Sequence, residues 1–133
     1  MENMHHIQKA DTNVSLPASS SMLKFFGAMY FGRNYFNFKG RASRREWWSV
    51  AILETIFLII PIVALMYVFP DYADYIELFY ELYALIPSTA LMVRRFHDFN
   101  MNPWWSLLIV PMFFLPFFKG DKVDNRYGKN IYN

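Results

Sequence analysis

Between Trp47 and Val93 the chain carries no lysine or arginine, and between Pro103 and Phe118 it carries no charged residue at all. A water-soluble domain interleaves cations along its helices to solvate their outer faces. Stretches this long without them suit a hydrocarbon solvent, with the cations gathered at the ends. The expected fold class is therefore an all-α integral membrane protein. It comprises a helical hairpin, a third short, Pro-interrupted apolar segment, and an N-terminal interfacial helix.

The spans follow from the apolar runs, about 47–69, 75–93 and 104–118. Ser43-Arg-Arg-Glu46 fits a capping box, in which Ser43 accepts from the Glu46 amide and Glu46 reaches back to the Ser43 amide. That box opens a helix from Arg44 to about Phe69, past the roughly 20 residues needed to cross a bilayer. Pro61 is expected to kink it. Pro70 to Asp74 reads as an acidic turn, with Asp74 capping a second helix and Glu77 at its box position. This helix reaches Val93, where Arg94 and Arg95 close it. Asn102-Pro103 starts the third segment. It is only about 22 Å long if helical, against roughly 30 Å of hydrocarbon. Pro111 and Pro116 interrupt it, so it either spans or is re-entrant.

Residues 1–21 read as a disordered polar tail without the apolar core of a signal peptide. Residues 22–133 read as the membrane domain. Met22 to Phe31 is too short to span and suits the membrane interface, between Lys24 and Arg33. The cations before Trp47 and their absence from the 70–74 turn place the N-terminus in the cytoplasm. The chain is thus expected to cross its membrane more than once.

Composition excludes several functions. With 55% apolar residues, a net charge of +2 and cations in three clusters flanking apolar runs, nothing points to nucleic acid. There is no cysteine, hence no thiol chemistry or Cys-ligated metal. His5 and His6 offer a weak metal site at most, and are read as part of the disordered tail. No G-x-S-x-G, H-E-x-x-H, P-loop or dinucleotide motif occurs, so no enzyme, cofactor or metal is expected. The expected partners are membrane lipids, with a protein partner or a second copy open.

Some polar residues call for a role. Glu54 lies about 15 Å along the first helix from Arg44, near mid-membrane. It is either a proton or cation site, in a small transporter or channel subunit, or a carboxyl bonding to Ser88 or Thr89 on the returning helix. Glu77 and Glu81 stand one turn apart at the outer boundary, where interfacial solvation accounts for them. Arg94-Arg-Phe-His-Asp98 can grip a phosphate headgroup, with His97 titrating near neutral pH. The alternative, which spacing alone favours, is a positive-inside clamp with Asp98 paired to Arg94 or Arg95.

Phe38-Lys-Gly-Arg-Ala-Ser-Arg-Arg-Glu-Trp-Trp48, Arg94-Arg-Phe-His-Asp98 with Trp104-Trp105, and Gly120 with Asn125-Arg-Tyr-Gly128 follow one another in order. Together they resemble the bacterial inner-membrane YhaH-type family, Domain of Unknown Function 805, from about Met22 onward. Phe96 stands where that family more often has Leu, and Asn100-Met-Asn102 departs from its usual small or Gly-bearing loop. The resemblance implies a multi-pass cytoplasmic-membrane protein and no established activity. Its motif residues fall at the membrane boundaries. The expected site is a cytoplasmic-side polar cluster of Arg41, Arg44, Glu46, Arg94, Arg95, His97, Asp98 and Asn125, with Glu46 paired to Arg94 or Arg95. Such a cluster either holds a lipid headgroup or partner protein, or locks the hairpin to the third segment.

Overall fold

The computed structural model describes residues 15–108 and 113–132. His5, His6 and Pro111, and with Pro111 the middle of the third apolar segment, lie outside the described residues. Among those described there are helices and turns and no strand.

Helix α1 is Met22–Tyr30. Ser21 caps it, its hydroxyl accepting from the Lys24 amide at 3.3 Å. One face buries Phe25, Phe26, Met29 and Tyr30, while Leu23 and the following Phe31 stay exposed. The chain joins the fold before α1. Leu16 is buried, the Ser15 hydroxyl accepts from the Arg41 amide at 2.8 Å, and the Ala18 amide donates to the Ile131 carbonyl. The polar tail expected over 1–21 therefore gives way to packed structure by Ser15.

Helix α2 runs Arg44–Val68. Ser43 caps it as expected, at 3.0 Å from the Glu46 amide. Glu46 does not return the bond; its carboxylate turns to Arg94 at 2.6 Å. Half of the capping box is thus given up to a tertiary ion pair. At mid-length the helix widens into a π turn, Thr55–Ile59, with the Ile60 amide on the Thr55 carbonyl. The cause stands next to it: Pro61 lacks an amide and its ring would collide with the Phe57 carbonyl, so the wider turn makes room.

A 3₁₀ turn, Pro70–Tyr72, leads into α3, Ala73–Asp98. Tyr72, not Asp74, occupies the cap position and no side chain caps the helix. Asp74 sits in the first turn, where a carboxylate meets the positive end of the helix dipole. At the other end α3 runs beyond Val93 to Asp98, so Arg94 and Arg95 belong to its last turns and do not close it. The closure comes later, through Asn100 at φ 55. The Met101 amide bonds to the Phe96 carbonyl and the Asn100 amide to the His97 carbonyl, the pairing of a Schellman motif. Asparagine tolerates that left-handed conformation, so the loop needs no glycine there.

Pro87 lies inside α3, and its missing amide leaves the Tyr83 carbonyl without its helical donor. The Tyr35 hydroxyl supplies the substitute at 2.7 Å. In hydrocarbon an unmet carbonyl is costly. Tyr35→Phe is expected to lower unfolding free energy by about 1–3 kcal/mol. Denaturant titration in detergent checks this, with Tyr67→Phe, a ring 89% exposed, as the unaffected reference.

The third segment opens as expected, with the Asn102 side chain accepting from the Trp104 amide at 3.0 Å and Pro103 in first position. It forms a short 3₁₀ helix, Pro103–Leu107.

The core sits at one end of the molecule. Leu16, α1, Ala42, the first turns of α2 and the second half of α3 enclose it. Away from that end the hairpin is bare. Only 11% of the most apolar stretch of α2 and 22% of that of α3 is buried. Ile52, Ile56, Phe57, Ile60, Val63, Phe79, Leu82 and Leu85 stand between 46% and 74% exposed. A core helix of a soluble protein would bury such a stretch; continuous apolar surface on this scale faces lipid.

Candidate functional site

The end that carries the core also gathers the cations. Arg41 arrives from the loop before α2, Glu46 from the first turn of α2, and Arg94, Arg95 and Asp98 from the last turns of α3. All five are 0% exposed. Charges so placed are tolerable only when paired and hydrogen-bonded.

Asp98 is the hub. Its Oδ1 accepts from Arg41 Nε at 2.9 Å and its Oδ2 from Arg95 Nη1 at 2.6 Å. The Tyr132 hydroxyl also donates to Oδ2. Burial and the adjacent carboxylate push the Tyr132 phenol above its ordinary pKa, which keeps it a neutral donor. Two cations share one anion here, and backbone dipoles supply the remaining negative potential. Arg41 donates to the carbonyls of Val123 (2.7 Å), Lys129 (3.3 Å) and Asp121. Arg95 donates to those of Ala42 (3.2 Å), Leu115 (2.9 Å) and Phe118. Arg95 thus ties α3 to the end of the third segment, and Arg41 ties the loop before α2 to the chain beyond it. A second pair, Arg94 Nη1 to Glu46 Oε1 at 2.6 Å, joins α3 to α2. This pair is less complete: Arg94 Nε and Nη2 and Glu46 Oε2 are buried without a hydrogen-bond partner.

Backbone bonds extend the same seam. The Ala42 amide donates to the Arg94 carbonyl at 3.0 Å and the Asp121 amide to the Asp98 carbonyl at 2.8 Å. These carbonyls belong to the last turns of α3, where intrahelical donors run out. Gly120 permits the approach. A Cβ there would lie 2.7 Å from the Asp98 carbonyl oxygen and collide with its carboxylate.

His97 and Asn125 belong to the same region. His97 Nδ1 lies 2.9 Å from the Gly40 carbonyl and therefore carries the hydrogen, since a carbonyl only accepts. Its ring stacks on Tyr127 at 3.9 Å. Asn125 Nδ2 donates to the His97 carbonyl at 2.9 Å. Arg44 stands apart, half-buried at the rim, with Nη1 3.3 Å from the Phe117 carbonyl.

Glu54 is elsewhere, along the hairpin. Its Oε1 accepts from the Tyr80 hydroxyl at 2.5 Å. The expected partners differ: Thr89 bonds back to the Leu85 carbonyl at 2.7 Å, and Ser88 lies by Tyr30. Tyr83 donates to the Tyr30 carbonyl at 2.6 Å. Glu77 and Glu81 are exposed. Among the described residues no group of His, Asp or Glu is placed to hold a metal ion.

Sequence reasoning missed Tyr132, Tyr127 and the pairing of Arg41 with Asp98. The three lie 30–57 residues from their partners, and no local spacing marks them. Gly120 and Asn125-Arg-Tyr-Gly128 were visible as motifs without a stated contact.

Fold and site define a small α-helical membrane protein, closed at one end by a buried ion-pair network. The family described as "Protein of unknown function (DUF805)" matches residues 35–129, a stretch that holds every predicted cluster residue. The chain belongs to this family. Two relatives in Escherichia coli (strain K12) are similar along most of it. Inner membrane protein YhaI is 32% identical over 110 residues, covering 74% of this chain and 88% of the relative. Inner membrane protein YhaH is 30% identical over 110 residues, covering 72% and 88%. No solved structure matches.

Proposed function

We propose that this chain is a multi-pass protein of the bacterial inner membrane with a structural or interaction role and no catalytic one. Helices α2 and α3 cross the bilayer, with the N-terminus in the cytoplasm. The third segment is re-entrant, and α1 lies in the interface. Lipid surrounds the exposed flanks of the hairpin.

One observation carries this reading. The buried guanidiniums of Arg41 and Arg95 hold carbonyls at positions 115, 118, 121, 123 and 129 against the end of α3. A segment that leaves α3 at Asn100 and is back at the same end by Leu115 favours a re-entrant path over a crossing. The donors of Arg41 and Arg95 are almost wholly spent on protein acceptors, and Arg94 is fully enclosed. That favours a lock between hairpin and third segment over a headgroup grip at these three residues. The Tyr80–Glu54 bond likewise favours an interhelix tie over a proton or cation path. The gathering of cations at this end supports its cytoplasmic placement, and the relatives' names support the inner membrane.

The chain has no cysteine, so single cysteines are unambiguous probes. In intact cells a membrane-impermeant thiol reagent is expected to label Asp71→Cys, and Lys39→Cys only after the membrane is opened. Labelling of Lys39→Cys from outside would reverse the orientation. Equal labelling of both would remove the hairpin.

A further inference from the structure

Beside the buried lock, on the same end of the molecule, lies an open cavity of about 460 Å³. Ser43, Arg44 and Arg45 form one wall, Lys119, Lys122 and Tyr132 the other, with Ala18 at the edge. We propose that this groove binds a phosphate-bearing anion, and that its source is the headgroup of an anionic lipid.

The charges carry the inference. Each buried arginine of the neighbouring lock, Arg41, Arg94 and Arg95, has a carboxylate partner. None of the four groove cations does among the described residues, and no carboxylate appears among the described residues lining the cavity. Four like charges around one hollow repel each other, and the arrangement is relieved when an anion enters. Arg44 is weakly engaged: among the described residues its one side-chain hydrogen bond is a long one to the Phe117 carbonyl, at 3.3 Å. Arginine forks and lysine ammonium groups together match the oxygens of a phosphate.

The walls are fixed before any ligand arrives. Ser43 is fully buried as the α2 cap. Tyr132 is held by Asp98, and the Lys122 carbonyl accepts from Asn130 Nδ2. Arg45, Lys119 and Lys122 are exposed, so their charged ends are available.

The setting favours a lipid over a free phosphate. Lys119 follows directly on the apolar run that ends at Phe118. Phe117 and Phe118 are 63% and 60% exposed, and Trp48 packs edge-on to Phe117 at 5.5 Å. A headgroup in the groove would leave its glycerol and acyl chains beside this aromatic shelf, with Trp48 at the headgroup level that Trp prefers.

The lipid source rests on the membrane placement proposed above; the phosphate chemistry does not. The test uses the full chain purified in a neutral detergent, titrated with phosphatidylglycerol or phosphatidylcholine and read by native mass spectrometry. Inorganic phosphate is titrated in a separate arm. Wild type is expected to retain phosphatidylglycerol in preference to phosphatidylcholine. Arg45→Gln with Lys122→Gln is expected to weaken that retention roughly tenfold or more. Lys24→Gln with Lys39→Gln removes the same charge away from the groove and is expected to change nothing. Phosphate binding that the groove substitutions abolish, without any lipid preference, assigns the site to a soluble phosphate. Equal retention of both lipids together with no phosphate binding overturns the proposal, and so does equal loss in the two double variants. Should the groove variant fold poorly, the wild-type comparison of lipids and phosphate alone decides. A reversed orientation in the cysteine labelling leaves phosphate binding untouched, which separates the two failures.

Discussion

Asp98→Asn is expected to remove about 3–5 kcal/mol from the unfolding free energy, the cost of leaving a buried charge without its partner. Asparagine keeps the shape of the side chain and one acceptor, so the loss reports charge. In its place two guanidiniums, both 0% exposed, would face each other without an anion. Neither can leave without dropping its backbone acceptors between Leu115 and Lys129. Against a total stability of roughly 5–15 kcal/mol the loss is a large share. It should appear first as release of the chain beyond Leu115, read by faster proteolysis there, and then as a lowered denaturant midpoint by tryptophan fluorescence. Asp71→Asn, at the exposed turn, is expected to stay within about 0.5 kcal/mol of wild type. An Asp98→Asn protein as stable as Asp71→Asn would mean that the network does not hold the fold.

Glu46→Ala is expected to cost a similar amount, about 3–5 kcal/mol, because Arg94 is buried with no other carboxylate in contact among the described residues. The two sites part company when both partners are replaced. Arg94 Nε and Nη2 and Glu46 Oε2 are already unmet, so this pair carries desolvation without full return. Glu46→Met with Arg94→Leu is therefore expected to recover the single-variant loss, to within about 1 kcal/mol of wild type or above it. No such recovery is expected from apolar replacement of Asp98 with Arg41 and Arg95. Those guanidiniums also hold backbone carbonyls, and Met or Leu would leave them without donors. The double-mutant comparison by denaturant unfolding thus separates a tie between two helices from a tie to the third segment.

The solvent of this fold was legible in the sequence because hydrocarbon forbids what water requires. Cations vanish between Trp47 and Val93 and collect at the ends, and two helices long and apolar enough to cross a membrane appear there. Local chemistry was legible where it stays local: Ser43 caps α2, and Asn102-Pro103 opens a turn. It failed where a distant partner competes. Glu46 leaves the capping box for Arg94, 48 residues away. Asp74 and Thr89 lose the expected partners to a plain first turn and to the helix's own backbone. The charged motifs brought the residues that meet at this end into view, although Arg44 stands apart at the rim, and the hub stayed hidden. That Asp98 serves Arg41 as well as Arg95 depends on Gly120 letting the chain pass against α3, a contact no spacing encodes. The groove of Arg44, Arg45, Lys119 and Lys122 joins segments more than 70 residues apart, so the sequence shows two ordinary basic clusters and not one hollow.

The account turns on where the chain goes after the third segment. Paired reporters fused after Asn133 measure it: green fluorescent protein, which matures in the cytoplasm, and alkaline phosphatase, which is active outside it. Bright fluorescence with little phosphatase activity is the predicted result, since Arg41 and Asp98 hold residues 121–132 beside Ser15, at the end that the proposed topology puts in the cytoplasm. High phosphatase activity with no fluorescence, with Lys39→Cys still shielded in intact cells, would place that segment across the bilayer from its own ion pairs and contradict the lock.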